Sequence, residues 1–294
     1  MADVIIRSFG DYYAPVEGEA LPDVRALAKE TLGKQVRRVG RFILLGLVGA
    51  ARCVGAHAPP AHTAIYLSSR RGDLETNVEV MEDLFARGLA PKPLSFINTV
   101  SNASCYYVAR HFGLHGRSLF VSGVCFSFEA ALQAALLDFE AGQVRSALVG
   151  GLDTLIEPLA IERRRLGLAA EAPVAEASHW LWLETGQAQP GDLVLEASEA
   201  FPDRAALIAW LQARGTEKTT LAQGQYLDDA AFAAIAAQAN LPRSFRYRDG
   251  RAYYDGQAGA ALSAFAASDL DGAALTHINA DPDGRYAAFV ARKV

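Results

Sequence analysis

Short apolar runs that favour β-strands alternate with helical stretches over most of this 294-residue chain. The clearest unit is SLFVSGVCFSFEAALQAALLDFEAG at residues 118–142, where an apolar strand ends, a cysteine follows and a helix begins. Further strands are predicted at 4–13, 63–69 and 145–155, and further helices at 23–33, 41–56 and 73–88. Alternation of this kind is typical of α/β layers.

The rest of the chain repeats the alternation with shorter elements. Strands are predicted at 178–184, 191–200 and 218–224 and on both sides of a polar turn within 274–293, with helices at 203–215, 228–240 and 256–268. No low-complexity tract or long linker separates the two parts. We therefore expect a single domain over 1–294, with an N-terminal half at 1–187 and a shortened C-terminal half at 188–294.

Charge and hydropathy exclude several classes of protein. The formal net charge of −5 gives no basic footprint, so nucleic acid is not an expected partner. The first sixteen residues lack a basic stretch followed by an apolar one, so no signal peptide is predicted. The most apolar stretch, 41–56, is too short to span a bilayer, and no membrane association is expected.

Cysteine and histidine usage argues against disulfides, metals and cofactors. The three cysteines are widely spaced and form no CxxC pair, which fits a reducing cytoplasm. The HAPPAH segment at 57–62 has two histidines on a proline-rich loop with no third ligand nearby, so no metal site is expected. No cofactor is expected either.

Cys125 has two interpretations from its position alone. The helix that begins at Ser127 offers free N–H groups and a positive dipole end, which would stabilise a thiolate and a developing oxyanion. A buried structural cysteine is equally compatible with this position, because cysteine is among the commonest core residues.

Three motifs between residues 95 and 155 occur in the order and spacing of one known family. The first, FINTVSNASCYYVARHFGLHG, resembles the family's asparagine-led helix. The second, GRSLFVSGVCFSFEAALQAA, resembles its nucleophile turn, with Cys125 in the nucleophile's place. The third, EAGQVRSALVGGLDTL, resembles its GG-x-[DE] segment. The chain is thus similar to the β-ketoacyl synthases, the thiolase-fold condensing enzymes of fatty-acid and polyketide synthesis. The resemblance implies two βαβαβαββ-type halves in a layered α/β/α/β/α core, the second half abbreviated here, and a dimer.

The resemblance also shows which family residues this chain lacks. The family places one histidine in an A-H-G-T turn and another in a K-x-x-TGH segment, and Gln223 and Gln257 stand in those two places. Ala252 replaces the lysine, and ADPDG at 280–284 replaces the terminal FGFGG loop. Glutamine cannot titrate or carry positive charge, so ordinary decarboxylative condensation should be crippled by orders of magnitude.

His277 is the one histidine that could substitute for the missing pair. It ends a predicted strand just before the turn where the family's active-site loop lies. A strand-end histidine satisfied by backbone groups is the other interpretation.

Three functions remain open. The chain could be a non-condensing, chain-length-factor-like partner of an active ketosynthase, an acyltransferase that uses Cys125, or a scaffold without acyl chemistry. Whether it is an enzyme at all is therefore uncertain. Each implies an acyl carrier protein as partner and a homodimer or heterodimer. Candidate carrier contacts are two basic clusters, Arg37, Arg38 and Arg41, and Arg163 to Arg165.

Overall fold

A computed structural model describes residues 2–16, 18, 20–270 and 273–294. Ten strands lie within these ranges. They are β1 (Asp3–Val16), β2 (Ala64–Ser69), β3 (Ser118–Ser122), β4 (Ser146–Asp153), β5 (Val174–Gly186), β6 (Leu193–Phe201), β7 (Thr219–Gln223), β8 (Ser244–Phe245), β9 (Ala274–Ala280) and β10 (Tyr286–Lys293).

Ten α-helices lie within the same ranges, and a π-helical segment, Glu82–Ala86, continues the third. They are α1 (Val24–Leu32), α2 (Arg41–Val54), α3 (Leu74–Met81), α4 (Pro93–Asn98), α5 (Ala103–Phe112), α6 (Ser127–Glu140), α7 (Leu159–Arg165), α8 (Arg204–Arg214), α9 (Asp229–Ala239) and α10 (Ala258–Ala266). Each of these helices is too short or too polar to cross a membrane.

Side chains at the helix ends explain several of these boundaries. Asp23, Asp73, Asp203 and Asp228 each precede a helix and accept a hydrogen bond from a backbone N–H of its first turn. Left-handed residues end three helices, namely Gly33, Gly113 and Asn240.

The strand order shows that the sheet consists of two topological repeats. The order is β3-β2-β4-β5-β1-β6-β10-β9-β7-β8. Counted within each half, both sets of five strands follow the sequence 3-2-4-5-1, and the two first strands meet in the middle. Among the described residues, Ile5–Val194 and Ile6–Leu193 are the pairs across this junction.

Helices form three layers around these strands. Helix α2 packs on β1, β4 and β5, with α1 and α5 beside it. Helix α6 contacts strands of both halves, α10 lies against α6 and strands of both halves, and α8 and α9 cover β6, β7 and β10. The predicted α/β/α/β/α layering is confirmed. Because α6 and α10 are shared by both halves, we propose that the chain folds as one domain.

Candidate functional site

Cys125 lies in the turn that joins β3 to α6. Its side chain is half-buried, between two cavities of different kinds. On one side is an open, mostly apolar groove of about 650 Å³ lined by residues from 121–130, 200–202 and 281–286. On the other side is a closed polar recess of about 20 Å³, which has room for roughly one water molecule.

Asn279, near the end of β9, fixes the Cys125 turn from the second half of the chain. Its Nδ2 donates to the carbonyl oxygen of Cys125 at 3.2 Å and to Glu129 Oε1 at 3.1 Å. Its Oδ1 accepts from the backbone N–H of Tyr226 at 3.2 Å. Asn279 was not predicted from the sequence. Its contacts are with residues far away in the chain, and no local pattern near the end of a strand indicates such contacts.

Gln257 lines the recess. Its side chain is buried, and its Oε1 has no hydrogen-bond partner among the described residues. Gln225 also lines the recess, and its Nε2 donates to the hydroxyl oxygen of Tyr253 at 2.8 Å. The recess therefore holds two amide side chains beside the thiol.

The structure corrects the placement of Gln223. Side chains alternate along β7, so Gln223 is on the same face of the strand as Leu221. Leu221 packs in a hydrophobic cluster with residues of α8 and α9. Its Nε2 donates to the Leu227 carbonyl oxygen at 2.7 Å and to Asp229 Oδ1 at 2.8 Å. Gln223 therefore does not line the Cys125 recess, and Gln225, two residues further on, does.

His277 also does not line the recess. It is fully buried, stacked on Phe289, with Nε2 at 3.0 Å from the Tyr247 hydroxyl and Nδ1 at 3.7 Å from Glu129 Oε1. Burial, reinforced by the charge of Arg248, lowers its pKa to about 3. The imidazole is therefore neutral at neutral pH and gives no positive charge to the Cys125 site.

A buried ionic network borders the recess. Asp255, which stands where the family has the threonine of TGH, accepts from Arg70 Nη1 at 2.8 Å and pairs with Arg71 at 3.4 Å. Glu162 pairs with Arg71 at 2.7 Å and with Arg165 at 3.0 Å. These residues come from the turn after β2, from α7 and from the loop before α10, so the network joins three distant segments.

Asp153, at the end of β4, belongs to the same network. It accepts from Ser69 Oγ at 2.6 Å and from the backbone N–H of Arg70. Burial, together with the nearby charge of Asp255, raises the pKa of its carboxyl. The sequence analysis missed this network, and the signal that could have indicated it is the aspartate at 255, where the family has the threonine of TGH.

The electrostatics do not activate Cys125. Burial raises the pKa of its thiol, and this effect outweighs the opposing charge of Arg70. Glu129, fully buried in the first turn of α6, has its pKa raised to about 7 by burial. The thiol form of Cys125 is therefore favoured at neutral pH.

The two predicted basic clusters are only partly available to a partner. Arg41 is ion-paired with the buried carboxylate of Glu176. Arg163 is buried and donates to the carbonyl oxygens of Ala172 and Gly18. Arg37 and Arg38 remain exposed. Within the described part of the chain, no group of histidine, cysteine, aspartate and glutamate side chains could hold a metal ion.

Comparison with protein families identifies this arrangement. The family model "Beta-ketoacyl synthase, N-terminal domain" matches residues 16–172, which is more than half of the chain. The chain therefore belongs to the β-ketoacyl synthase family, as its motifs predicted. None of the curated protein sequences matches it.

Solved structures share the fold at low sequence identity. The ishigamide ketosynthase/chain length factor matches with a TM-score of 0.75 and 18% identity over 99% of both chains. A type II PKS acyl-carrier protein complex with its ketosynthase bound to the hexaketide matches with a TM-score of 0.72 and 15% identity over 100% of both chains. The 3-oxoacyl-(acyl carrier protein) synthase III of Pseudomonas aeruginosa PAO1 matches with a TM-score of 0.61 and 16% identity over 99% of this chain and 98% of that one. The thiolase-like ketosynthase fold predicted from the sequence is confirmed.

Proposed function

We propose that this chain is a cytoplasmic, non-condensing, chain-length-factor-like partner of an active ketosynthase. The observation that carries the proposal is the set of side chains around Cys125. Among the residues that line its recess there are two glutamines and no histidine. One structure with the same fold is described as a ketosynthase/chain length factor, which is the kind of assembly we propose.

Decarboxylative condensation needs groups that this site does not supply. The reaction develops negative charge on an enolate and then on a tetrahedral oxyanion. Proton transfer and electrostatic stabilisation each contribute about 10²–10⁴-fold in rate. Gln257 can donate a hydrogen bond but cannot transfer a proton or become cationic, and neutral, buried His277 does not replace it.

The size of the recess supports the same conclusion. On the recess side of Cys125, about 20 Å³ cannot hold a malonyl thioester. Its lining includes Arg70, Gln225, Tyr226 and Gln257, and the ion pair with Asp255 holds Arg70 in place.

An exposed apolar face supports a partner subunit. Of the sixteen large hydrophobic side chains that are exposed among the described residues, twelve lie between residues 78 and 124. Phe85, at 78% exposure, is the extreme case. Strand β3 ends the sheet beside this segment and, in the part of the chain that the structure describes, pairs with β2 on one side and leaves its other edge open. An apolar face next to an open strand edge is typical of a protein–protein interface.

The test is assembly with a full-length ketosynthase paralogue from the same organism. The two chains are co-expressed, and the mass of the complex is measured by size-exclusion chromatography with light scattering. We expect a one-to-one heterodimer. Separate elution of the two chains at micromolar concentration would refute the proposal.

A second function is favoured by one observation. Cys125 retains its thiol at the edge of the open groove of about 650 Å³, so an acyl group could reach the sulfur from that side. In an acyltransferase the thiolate would attack an acyl carrier thioester, form a new thioester and release the carrier thiol. Intact mass after incubation with acyl carrier thioesters tests this function, because the acyl mass gain must disappear in Cys125→Ala.

A further inference from the structure

Two amide side chains that line the recess beside Cys125 have unpartnered oxygens. Gln257 is only 4% exposed, and its Oε1 has no hydrogen-bond partner among the described residues. The Oε1 of Gln225 is also buried and has no partner in the described part of the chain. Because a buried acceptor without a donor is costly, these oxygens indicate that the recess is built around a small ligand that donates hydrogen bonds.

The size of the recess selects water as this ligand. A volume of about 20 Å³ holds one water molecule and is too small for an alcohol or an amine of substrate size. Water donates two hydrogen bonds and still has lone pairs, so it can satisfy a buried amide oxygen and remain a nucleophile. An acyl group on the Cys125 sulfur would therefore meet water, and no larger acceptor, on this side.

A buried carboxyl group also lines the recess. Glu129 is 3% exposed, and Asn279 Nδ2 joins its Oε1, at 3.1 Å, to the Cys125 carbonyl oxygen, at 3.2 Å. The imidazole of His277, whose Nδ1 is 3.7 Å from Glu129 Oε1, is neutral at neutral pH. Burial raises the pKa of Glu129 to about 7, so its carboxylate and its carboxylic acid are both populated near neutral pH. This is the property that a general base at this pH requires.

Cys125 contributes to the lining of both cavities, the recess and the open groove. Of the two, only the groove, with about 650 Å³ and a mostly apolar lining, has room for an acyl chain. The carbonyl carbon of a thioester is bonded directly to the sulfur, so it would stay at the boundary between the two cavities. The chain would then extend into the groove while water reaches the carbonyl carbon from the recess.

We propose that this chain hydrolyses acyl thioesters, with Cys125 carrying the acyl group and Glu129 acting as general base for water in the recess. The inference goes beyond the partner role and rests on the second function, acyl uptake by Cys125, for which it names the acceptor. Water adds to the carbonyl carbon while the Glu129 carboxylate takes its proton. The carbon–sulfur bond then breaks, and the proton passes to the departing sulfur. The products are a carboxylic acid and the free thiol of Cys125.

The test follows hydrolysis of hexanoyl-N-acetylcysteamine, a small thioester that needs no carrier protein. Hexanoic acid released in isotopically labelled water is measured by mass spectrometry, and the acyl group on the protein by intact mass. Glu129→Gln removes the base, and Glu140→Gln makes the same substitution at the exposed far end of α6 as a control. Cys125→Ala gives the background rate. If Glu129→Gln fails to fold by circular dichroism, Gln257→Leu, which removes an amide that positions the water, replaces it.

We expect the wild type and Glu140→Gln to release labelled hexanoic acid at the same rate, well above the background. Glu129→Gln should release it about 100-fold more slowly, since a general base contributes about 10²–10⁴-fold, and should accumulate the acyl group on Cys125. A purely structural defect would slow acyl uptake as well, so no acyl group would accumulate. Gln257→Leu, if used, should show the same accumulation.

Three results would each overturn the inference. They are a wild type that takes up the acyl group and keeps it, a wild type that takes up none, and a Glu129→Gln variant that hydrolyses the thioester at the wild-type rate. Heterodimer assembly with the ketosynthase is measured separately, so its failure identifies a failure of the partner role instead.

Discussion

Asp255 is the carboxylate on which three arginines converge, so its replacement tests whether the ionic network stabilises the site. Asp255→Asn keeps the shape of the side chain and removes the charge facing Arg70, Arg71 and Arg165 at 2.8, 3.4 and 3.8 Å. Breaking a fully buried pair costs about 3–5 kcal/mol. The cost should be lower here, because the arginine side chains keep 13–34% exposure. Asp153 also loses an unfavourable neighbour.

We therefore expect Asp255→Asn to lower the free energy of unfolding by about 2 kcal/mol at pH 7. The assay is urea denaturation followed by tryptophan fluorescence. Asp283→Asn is the matched control, because Asp283 also pairs with an arginine but is 76% exposed, and its loss should cost at most about 0.5 kcal/mol. An equal loss in the two variants would refute the claim that the network stabilises the fold.

Three further predictions follow from the same structure. Folding raises the pKa of Glu129 from 4.5 to about 7, so between these pH values the folded state holds a proton that the unfolded state has lost. The free energy of unfolding therefore falls as pH rises from about 4.5 to 7. Glu129→Gln should match the wild type at pH 4.5 and be more stable by about 3 kcal/mol at pH 8 in urea denaturation, and a less stable variant at pH 8 would contradict this. Alkylation of native Cys125 by iodoacetamide, followed by intact mass, should be slow at pH 7 and accelerate above pH 9, whereas a rate that is already maximal at pH 7 would mean an activated thiolate. Phe85→Glu should abolish the heterodimer and leave the monomer folded, while Leu137→Glu, at an exposed leucine outside the apolar face, should leave assembly intact as judged by size-exclusion chromatography.

Most of the fold could be predicted because local patterns determine it. The strand and helix around Cys125 were expected from an apolar run followed by helical periodicity, and they lie at Ser118–Ser122 and Ser127–Glu140. Three elements were missed, α4, α7 and β8. Strand β8 has only two residues, α4 has six and α7 has seven, so none of them is long enough to show a period.

The candidate site could be predicted only in part, because its contacts join residues far apart in sequence. Arg70 and Asp255 are separated by 185 residues, and no pattern in either segment indicates the other. Gln223 was misplaced because it was assigned from its match to the family's A-H-G-T turn, whereas the alternation of side chains along β7 puts it on the same face as Leu221. Cys125 could be located because its cue, the strand-to-helix junction, is local.

The pairing of β1 has a consequence for how the chain is made. Residues Asp3–Val16 pair along their length with Val174–Gly186, so their main partner strand is translated roughly 160 residues later. At about 5–20 residues per second, β1 waits some 10 to 30 s before that strand leaves the ribosome. During this interval Ile5 and Ile6, which are buried in the finished molecule, have no sheet to join. Translation speed and chaperone supply, more than final stability, should therefore control the yield of folded protein from this chain.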